Sequence, residues 1–354
     1  RAQYEYLMNN AIAASESLHL TAGISLSREQ IDALQQDIVW MEERVVAGER
    51  VLVPIVYLAQ RSSRILQNGA VIAGGTVAIE GESVINSGTV RARDTLTIKT
   101  SGDIRNMGGI IDAGGDLSLD SGADFLNESG RLVGDNVTLH ADGDITHRTW
   151  SQYREFGSEE NGNWYTQVGD TAMVAARSSQ SQTAEGNIRI IGGQMIGTNV
   201  ALEASNSVIL DTVQVDQGYA FSGPDWSMSE SQIRHVQTQV SALQQLQLKA
   251  GADVIAIAAT LTAGDGASVS AGSNIFMMAA EESDHFSTYT KDSGSFGRSE
   301  SHSLVHDESH LLGTSITVGD ADSPAAQPAN LTMNAGKNIT LYTSQAAATG
   351  QVDV

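Results

Sequence analysis

A unit of about twenty residues recurs along 71–147, and few folds can accept it. One copy reads VRARDTLTIKTSGDIRNMGG (90–109) and the next IIDAGGDLSLDSGADFLNESG (110–130). Aligned, Val77, Leu96, Leu117 and Val137 fall 19, 21 and 20 residues apart, and Val84, Ile104 and Phe125 fall 20 and 21 apart. Asn86, Asn106 and Asn127 keep the same step. A single unit of this size cannot bury its own apolar face, so the units must stack, which is the signature of a solenoid. Within each unit, runs such as Thr95-Leu96-Thr97-Ile98 and Asp116-Leu117-Ser118-Leu119 alternate polar with apolar residues and are too short for helices. The expected fold is all-β: a parallel β-helix in which each run pairs with its counterpart one coil away, about 4.8 Å along the axis. Val, Leu and Ile then form the inner stack. The asparagines then either form a ladder of side-chain amides at a turn or mark three independent turns.

Composition fits a rod. For 354 residues the chain has 4 Pro, 5% aromatics and 35 Gly, a poor supply of bulky core layers but a good supply of turns. A net charge of -22 opposes nucleic acid or anionic membrane as partner and suits a self-repelling, monomeric rod. With no cysteine, disulfides are excluded. The lack of a start methionine and of a signal segment leads us to expect an internal piece of something longer.

The first 63 residues break the period. AIAASESLHLTAG (11–23) reads as one more coil, with Leu18 and Leu20 inward, or as the end of a preceding region. Ser27 with Gln30 forms a capping-box pattern, and Ile31, Leu34, Ile38 and Met41 follow at helical spacing, so an amphipathic helix is expected over 28–43. A hairpin is expected next, from Val45-Val46 through Ala47-Gly48-Glu49 to Val51-Leu52-Val53. Glu42 and Glu43 read as a solvated helix end. The segment 24–63 is therefore a short helix-containing insert ahead of regular coils over 64–148.

The period breaks again at 149–183, 216–241 and 281–312, with coils resuming over 184–215, 242–280 and 313–354. Structureless inserts of this length are uncommon inside compact folds. They are expected as extruded β-hairpins that leave and rejoin the rod. Trp150, Tyr153, Trp164, Tyr165, Tyr219, Phe221 and Trp226 concentrate in them, either as anchors against the coil wall or as contacts for membrane, glycan or protein.

His302, His306 and His310 recur at i, i+4, i+8, with His285, Asp307 and Glu308 near in sequence. On a helix they would share a face as metal ligands. On a strand each step is about 13 Å, too far for one ion, and a surface strand that gains charge on acidification is the preferred reading. No metal or other cofactor is expected. Phosphate-loop, nucleophile-elbow and zinc-protease motifs are absent from the sequence. Asp103, Asp116, Asp135 and Asp144 precede strands, where carboxylates accept turn N-H groups. A catalytic role on a β-helix frame, as in carbohydrate-active enzymes, would need converging acids or bases.

The segment 24–59 resembles the insert of filamentous-haemagglutinin-type exoproteins of Gram-negative bacteria, including toxin-delivery proteins of contact-dependent growth inhibition. Asp37-Ile38-Val39-Trp40 and Leu52-Val53-Pro54-Ile55-Val56-Tyr57-Leu58 carry the likeness, and AGGDLSL, GDNVTLHADGDI and AGKNITL resemble that family's haemagglutinin repeats. The resemblance implies a right-handed coil and a non-enzymatic repeat region. It also implies export through an outer-membrane transporter of the two-partner secretion type and display at the bacterial surface. Position after the two motifs resembles the second repeat region of the growth-inhibition proteins, associated with carrying a toxin across the target cell's outer membrane. An adhesin stalk gripping a surface receptor is the alternative.

Overall fold

The computed structural model describes residues 70–158, 160–293, 298–319 and 328–354. Of the N-terminal segment it describes 38–46 and 49–57 with Ala11, Ala14, Ser15 and Gln30. The chain divides into two units, Arg1–Gly69 and Ala70–Val354.

In the first unit, Ile38–Val46 pairs antiparallel with Glu49–Tyr57, from Ile38 opposite Tyr57 to Val46 opposite Glu49. This corrects the helix expected over 28–43. Gln30 is helical, but Ile38 to Glu43 are strand. The run Ile38-Val39-Trp40 is β-branched and aromatic, and it faces the similar run Ile55-Val56-Tyr57 nearby in sequence, so cross-strand pairing overrides the helical spacing of Ile38 and Met41. Pro54 lies opposite Met41, and Leu52 and Val53 lie opposite Glu43 and Glu42. Ala11, Ala14 and Ser15 are helical, so 11–23 does not begin as a coil strand. Leu18, Leu20 and Asp37 lie outside the described residues.

The second unit is a parallel β-helix. One coil runs from Ile110–Ala113 on the first face to Leu117–Ser121 on the second and Phe125–Glu128 on the third. Each pairs in parallel with its counterparts in the coils before and after it, so Leu117 lies between Leu96 and Val137 and Phe125 between Ile104 and Ile145. Val77 pairs with Leu96 and Val84 with Ile104. Alternation then decides burial: in Leu117–Ser121 the first, third and fifth side chains are buried. Each large aliphatic side chain taken fully out of water contributes about 1.5–3 kcal/mol, and the gain repeats with every coil. The third face stacks nine strands, a length of about 40 Å.

From residue 131 the first two faces fuse into single bent strands, Arg131–Ala141, Met173–Ala184, Gln194–Ala204 and Gln239–Ala250. The corner becomes a bulge, as between Gly134 and Asn136.

Two ladders bind coil to coil. Inside, Asn86 Nδ2 donates to Asn106 Oδ1 at 2.8 Å, and Asn106 Nδ2 to Asn127 Oδ1 at 2.8 Å. Asn106 and Asn127 also donate to the carbonyls of Gly109 and Gly130, so each buried amide satisfies both its neighbour and its turn. A Cβ at Gly130 would collide with both amides, which accounts for the glycine there. Outside, Asp103 accepts the backbone N-H of Asp124, Asp124 that of Asp144, and Asp144 that of Asn187. The series continues through Ser207, Asp253 and Asn274. These acids bond to the next coil rather than to their own turn. Burial pushes the Asp144 carboxyl up, but bonds from Asn187 and Arg189 outweigh it and hold the group below the usual range.

The inner ladder ends at His147, in register above Asn127 and below Ile190. Its Nε2 contacts Gln182 Oε1 at 2.9 Å and its ring tilts against Phe125, with centroids 5.8 Å apart. Among the described residues its Nδ1 has no hydrogen-bond partner, as befits the unprotonated nitrogen of a neutral ring. Burial pushes its pKa down to about 4, with the Gln182 contact opposing.

Candidate functional site

The tight turn from third face to first is where the rod opens outward. In most plain coils it carries one residue with positive φ, such as Gly108, Ser129, Gly192 or Ala258. In three coils this turn is replaced by a hairpin. The first hairpin is Ser151–Gly157 with Gly162–Val168, the second Val213–Gly223 with Trp226–Val236, and the third Ala280–Ser293 with Ser299–Leu312. The first is shorter than the 149–183 expected, because Met173–Ala184 is already back in the rod. The second sits between Val213 and Val236 rather than over 216–241, and the coil resumes at Gln239.

The three hairpins join into one six-stranded antiparallel sheet. Gly162 to Tyr165 pairs with Ala220 to Gln217, and Trp226 to Ile233 pairs with Thr290 to Ser283. The cause is spacing. Third-face strands Ile145–Arg148, Val208–Asp211 and Asn274–Met278 precede the excursions, and one plain coil separates each from the next. The hairpins therefore emerge two coils apart, about 9.6 Å, which is the width of a two-stranded hairpin. Each fills the interval to its neighbour.

Where a hairpin replaces the tight turn, backbone groups need new partners, and a buried threonine supplies them at each root. Thr149 Oγ1 donates to the Gly192 carbonyl at 2.6 Å. Thr238 Oγ1 reaches the carbonyls of Ile190 at 3.0 Å and Asp211 at 2.5 Å. Thr314 Oγ1 reaches those of Ala256 at 2.9 Å and Met278 at 2.8 Å and accepts from the Ala259 N-H. Sequence reading missed all three. The available signal was a threonine bordering every break in the period.

The sheet is a single layer whose strands beyond the roots keep side chains partly or fully in solvent on both faces. Residues directly opposite share a face. One face carries Phe156, Tyr165, Tyr219, Phe221 and Trp226; Phe156 stacks on Tyr165 at 6.0 Å between centroids and Tyr219 on Phe221 at 5.8 Å. Phe156 is 51% exposed, Phe221 40% and Trp226 46%, so the band is open. The Tyr219 hydroxyl donates to Glu230 Oε2 at 2.9 Å, and that bond raises its pKa. The other face is small and polar, with Gly218, Ser229, Ser231 and Ser287 among it and Tyr153 and Trp164 near the first hairpin. Trp164 lies over Gly218, where a side chain would strike its ring, and Trp226 over Gly223 in the same way. Trp150 is half-buried at the root of the first hairpin, its backbone N-H held by Ser129 Oγ at 2.9 Å.

His302, His306 and His310 lie along one face of the outermost strand, and His285 lies on the opposite face against Asp307. Among the described residues no three His, Asp or Glu side chains converge as metal ligands.

A family model described as Hemagglutinin repeat matches residues 221–354. The tRNA nuclease CdiA of Escherichia coli strain STEC_O31 is 32% identical over 296 residues, 82% of this chain and 9% of that protein. The tRNA nuclease CdiA of Escherichia coli O6:K15:H31 (strain 536 / UPEC) is 31% identical over 357 residues, 98% of this chain and 10% of that protein. The Deoxyribonuclease CdiA of Dickeya dadantii (strain 3937) is 29% identical over 277 residues, 74% of this chain and 8% of that protein. The chain thus spans about a tenth of the length of these relatives. No solved structure matches it. The coil period, the hairpin insert and these matches agree: the chain belongs to the CdiA-type filamentous-haemagglutinin exoproteins, as a haemagglutinin-repeat region.

Proposed function

We propose that this region is a non-enzymatic rod of a large, secreted, cell-surface exoprotein and that it supports toxin delivery across the target cell's outer membrane in contact-dependent growth inhibition. Its partners are an outer-membrane two-partner secretion transporter during export and the target cell's outer membrane or a surface receptor afterwards. Nucleic acid is not a partner of this region.

The observation that carries the reading is the sheet of excursions with its open aromatic band. Coils turn most of their apolar residues inward and leave only scattered ones such as Ile85 and Leu243 exposed, while Phe156, Tyr165, Phe221 and Trp226 stand together in solvent on a common face. Relatives named for tRNA cleavage and for DNA cleavage share this one stretch, which supports placing their catalysis elsewhere in their chains. An adhesin stalk is the second reading, favoured by the same band if its rings grip a glycan or protein receptor.

The test is association of the chain with outer-membrane vesicles, compared with a variant in which 151–168 and 281–311 are replaced by short Gly/Ser turns. Binding or protease protection that disappears in the variant supports delivery through the excursions. Equal and negligible association in both refutes it and leaves the stalk.

A further inference from the structure

The outermost strand of the excursion sheet, Ser299–Leu312, pairs on one side only, with Ala280–Ser293, among the described residues. Its other edge presents a row of backbone donors and acceptors. Proteins usually blunt such an edge with lysine, proline, a bulge or brevity. This one runs 14 residues, contains no Lys or Pro, and keeps an unbroken register from Ala280 opposite Leu312 to Ser293 opposite Ser299. The opposite edge of the sheet, Ser151–Gly157, is half that length, at 7 residues, and carries Arg154.

We propose that this edge pairs with the same edge of a second copy of the chain, antiparallel, about a two-fold axis at Val305. The occupant follows from charge. A symmetric antiparallel pair must keep each residue on its own face, so the axis has to pass through a residue position. Centres at Val305 and His306 use nearly the whole strand, and those at Leu304 and Asp307 slightly less. Centring on Leu304 sets His302 against His306 and Glu300 against Glu308, and centring on His306 sets His302 against His310. Centring on Val305 sets His302 against Glu308 and His310 against Glu300, each twice by symmetry, with Leu304 against His306. Centring on Asp307 sets His306 against Glu308 but leaves His302 and His310 opposite Leu312 and Leu304, so the Val305 register is the one that pairs Glu300, His302, Glu308 and His310 with opposite charges.

The four residues are open to a partner, with side chains 67% (His302), 70% (Glu308), 57% (His310) and 76% (Glu300) exposed. Leu304 and Val305 at the centre are each 59% exposed and would be covered. On the same face of the neighbouring strand, Glu282 contacts His310 at 3.0 Å, Asp284 lies opposite Glu308 and Asp292 opposite Glu300, while Phe286 and Thr290 face His306 and His302. On the other face are the His285–Asp307 pair, Glu281 and Lys291. Histidine is the side chain whose charge changes in this range, so the His–Glu pairing across the seam strengthens as pH falls from about 8 to 6. With the axis near mid-strand, about 45 Å of hairpin separates the two rods, which limits repulsion between chains of net charge -22. The result is a twelve-stranded sheet bridging two rods.

The test is sedimentation equilibrium of the 354-residue chain at pH 8 and pH 6. A monomer–dimer equilibrium that tightens at pH 6 is expected. H302E sets like charges against Glu308 at two symmetric positions and should weaken the dimer about tenfold, and E308H should weaken it similarly at pH 6. The double variant H302E/E308H restores opposite charges and should return the affinity to within about threefold of the parent. A monomer at both pH values, a dimer indifferent to H302E, or a double variant no better than the singles overturns the proposal.

Discussion

His147 replaces asparagine at the end of the inner ladder, and the replacement should make the rod sensitive to acid. In the folded chain its pKa is lowered from 6.5 to about 4 by burial. A depressed histidine binds its proton more readily unfolded than folded. The stabilising difference is therefore whole above about pH 6.5 and is lost progressively as pH falls through 6.5 towards 4. At about 1.4 kcal/mol per pH unit, the loss is about 2 kcal/mol at pH 5 and about 3 kcal/mol at pH 4. Many carboxylates also titrate towards the lower end, so the informative quantity is a difference between two chains. H147N keeps a small buried amide in register with Asn127 and cannot titrate. Urea unfolding of parent and H147N from pH 7.5 to 4.5 should give a stability gap that shifts in favour of H147N by about 2 kcal/mol between pH 7.5 and 5. A gap constant across that range would refute the buried, neutral histidine.

Two further outcomes test the architecture. T238V leaves the carbonyls of Ile190 and Asp211 without their hydroxyl donor and should cost about 1–3 kcal/mol, read as faster amide exchange at the root of the second hairpin but not in the coils over 77–128. Deleting 188–207 removes one coil between the first two excursions, so they emerge about 4.8 Å apart instead of about 9.6 Å. Exchange protection at Gly162 to Tyr165 should vanish while coils on either side stay protected, and retained protection would show that spacing does not assemble the sheet.

Much of this fold could be read from the chain because its information is local and repeated. Leu96, Leu117 and Val137 must stack once the period is recognised, and Asn86, Asn106 and Asn127 travel with them. The hairpin Ile38–Val46 with Glu49–Tyr57 was less legible, since Ile38 and Met41 fit a helical spacing and only the partner strand decides between the two readings. The excursions were visible as breaks in the period, and their aromatics as a cluster in sequence. Their ends were misjudged because Met173–Ala184 carries buried Gln180 and Gln182 where other coils carry Val or Leu, so a rod strand reads as polar insert.

By itself the sequence determined the stacking unit, because a period of about twenty residues with alternating apolar positions has no other way to bury them. It also determined the places where the chain leaves the rod. Only the tertiary structure decided that the three departures form one object. Strand alternation fixes which side chains share a face within a strand, but which strands become neighbours depends on the axial distance between their roots. That distance is two coils in both intervals, equal to the width of a hairpin, and it turns three separate excursions into a continuous sheet with an aromatic face and an open histidine edge.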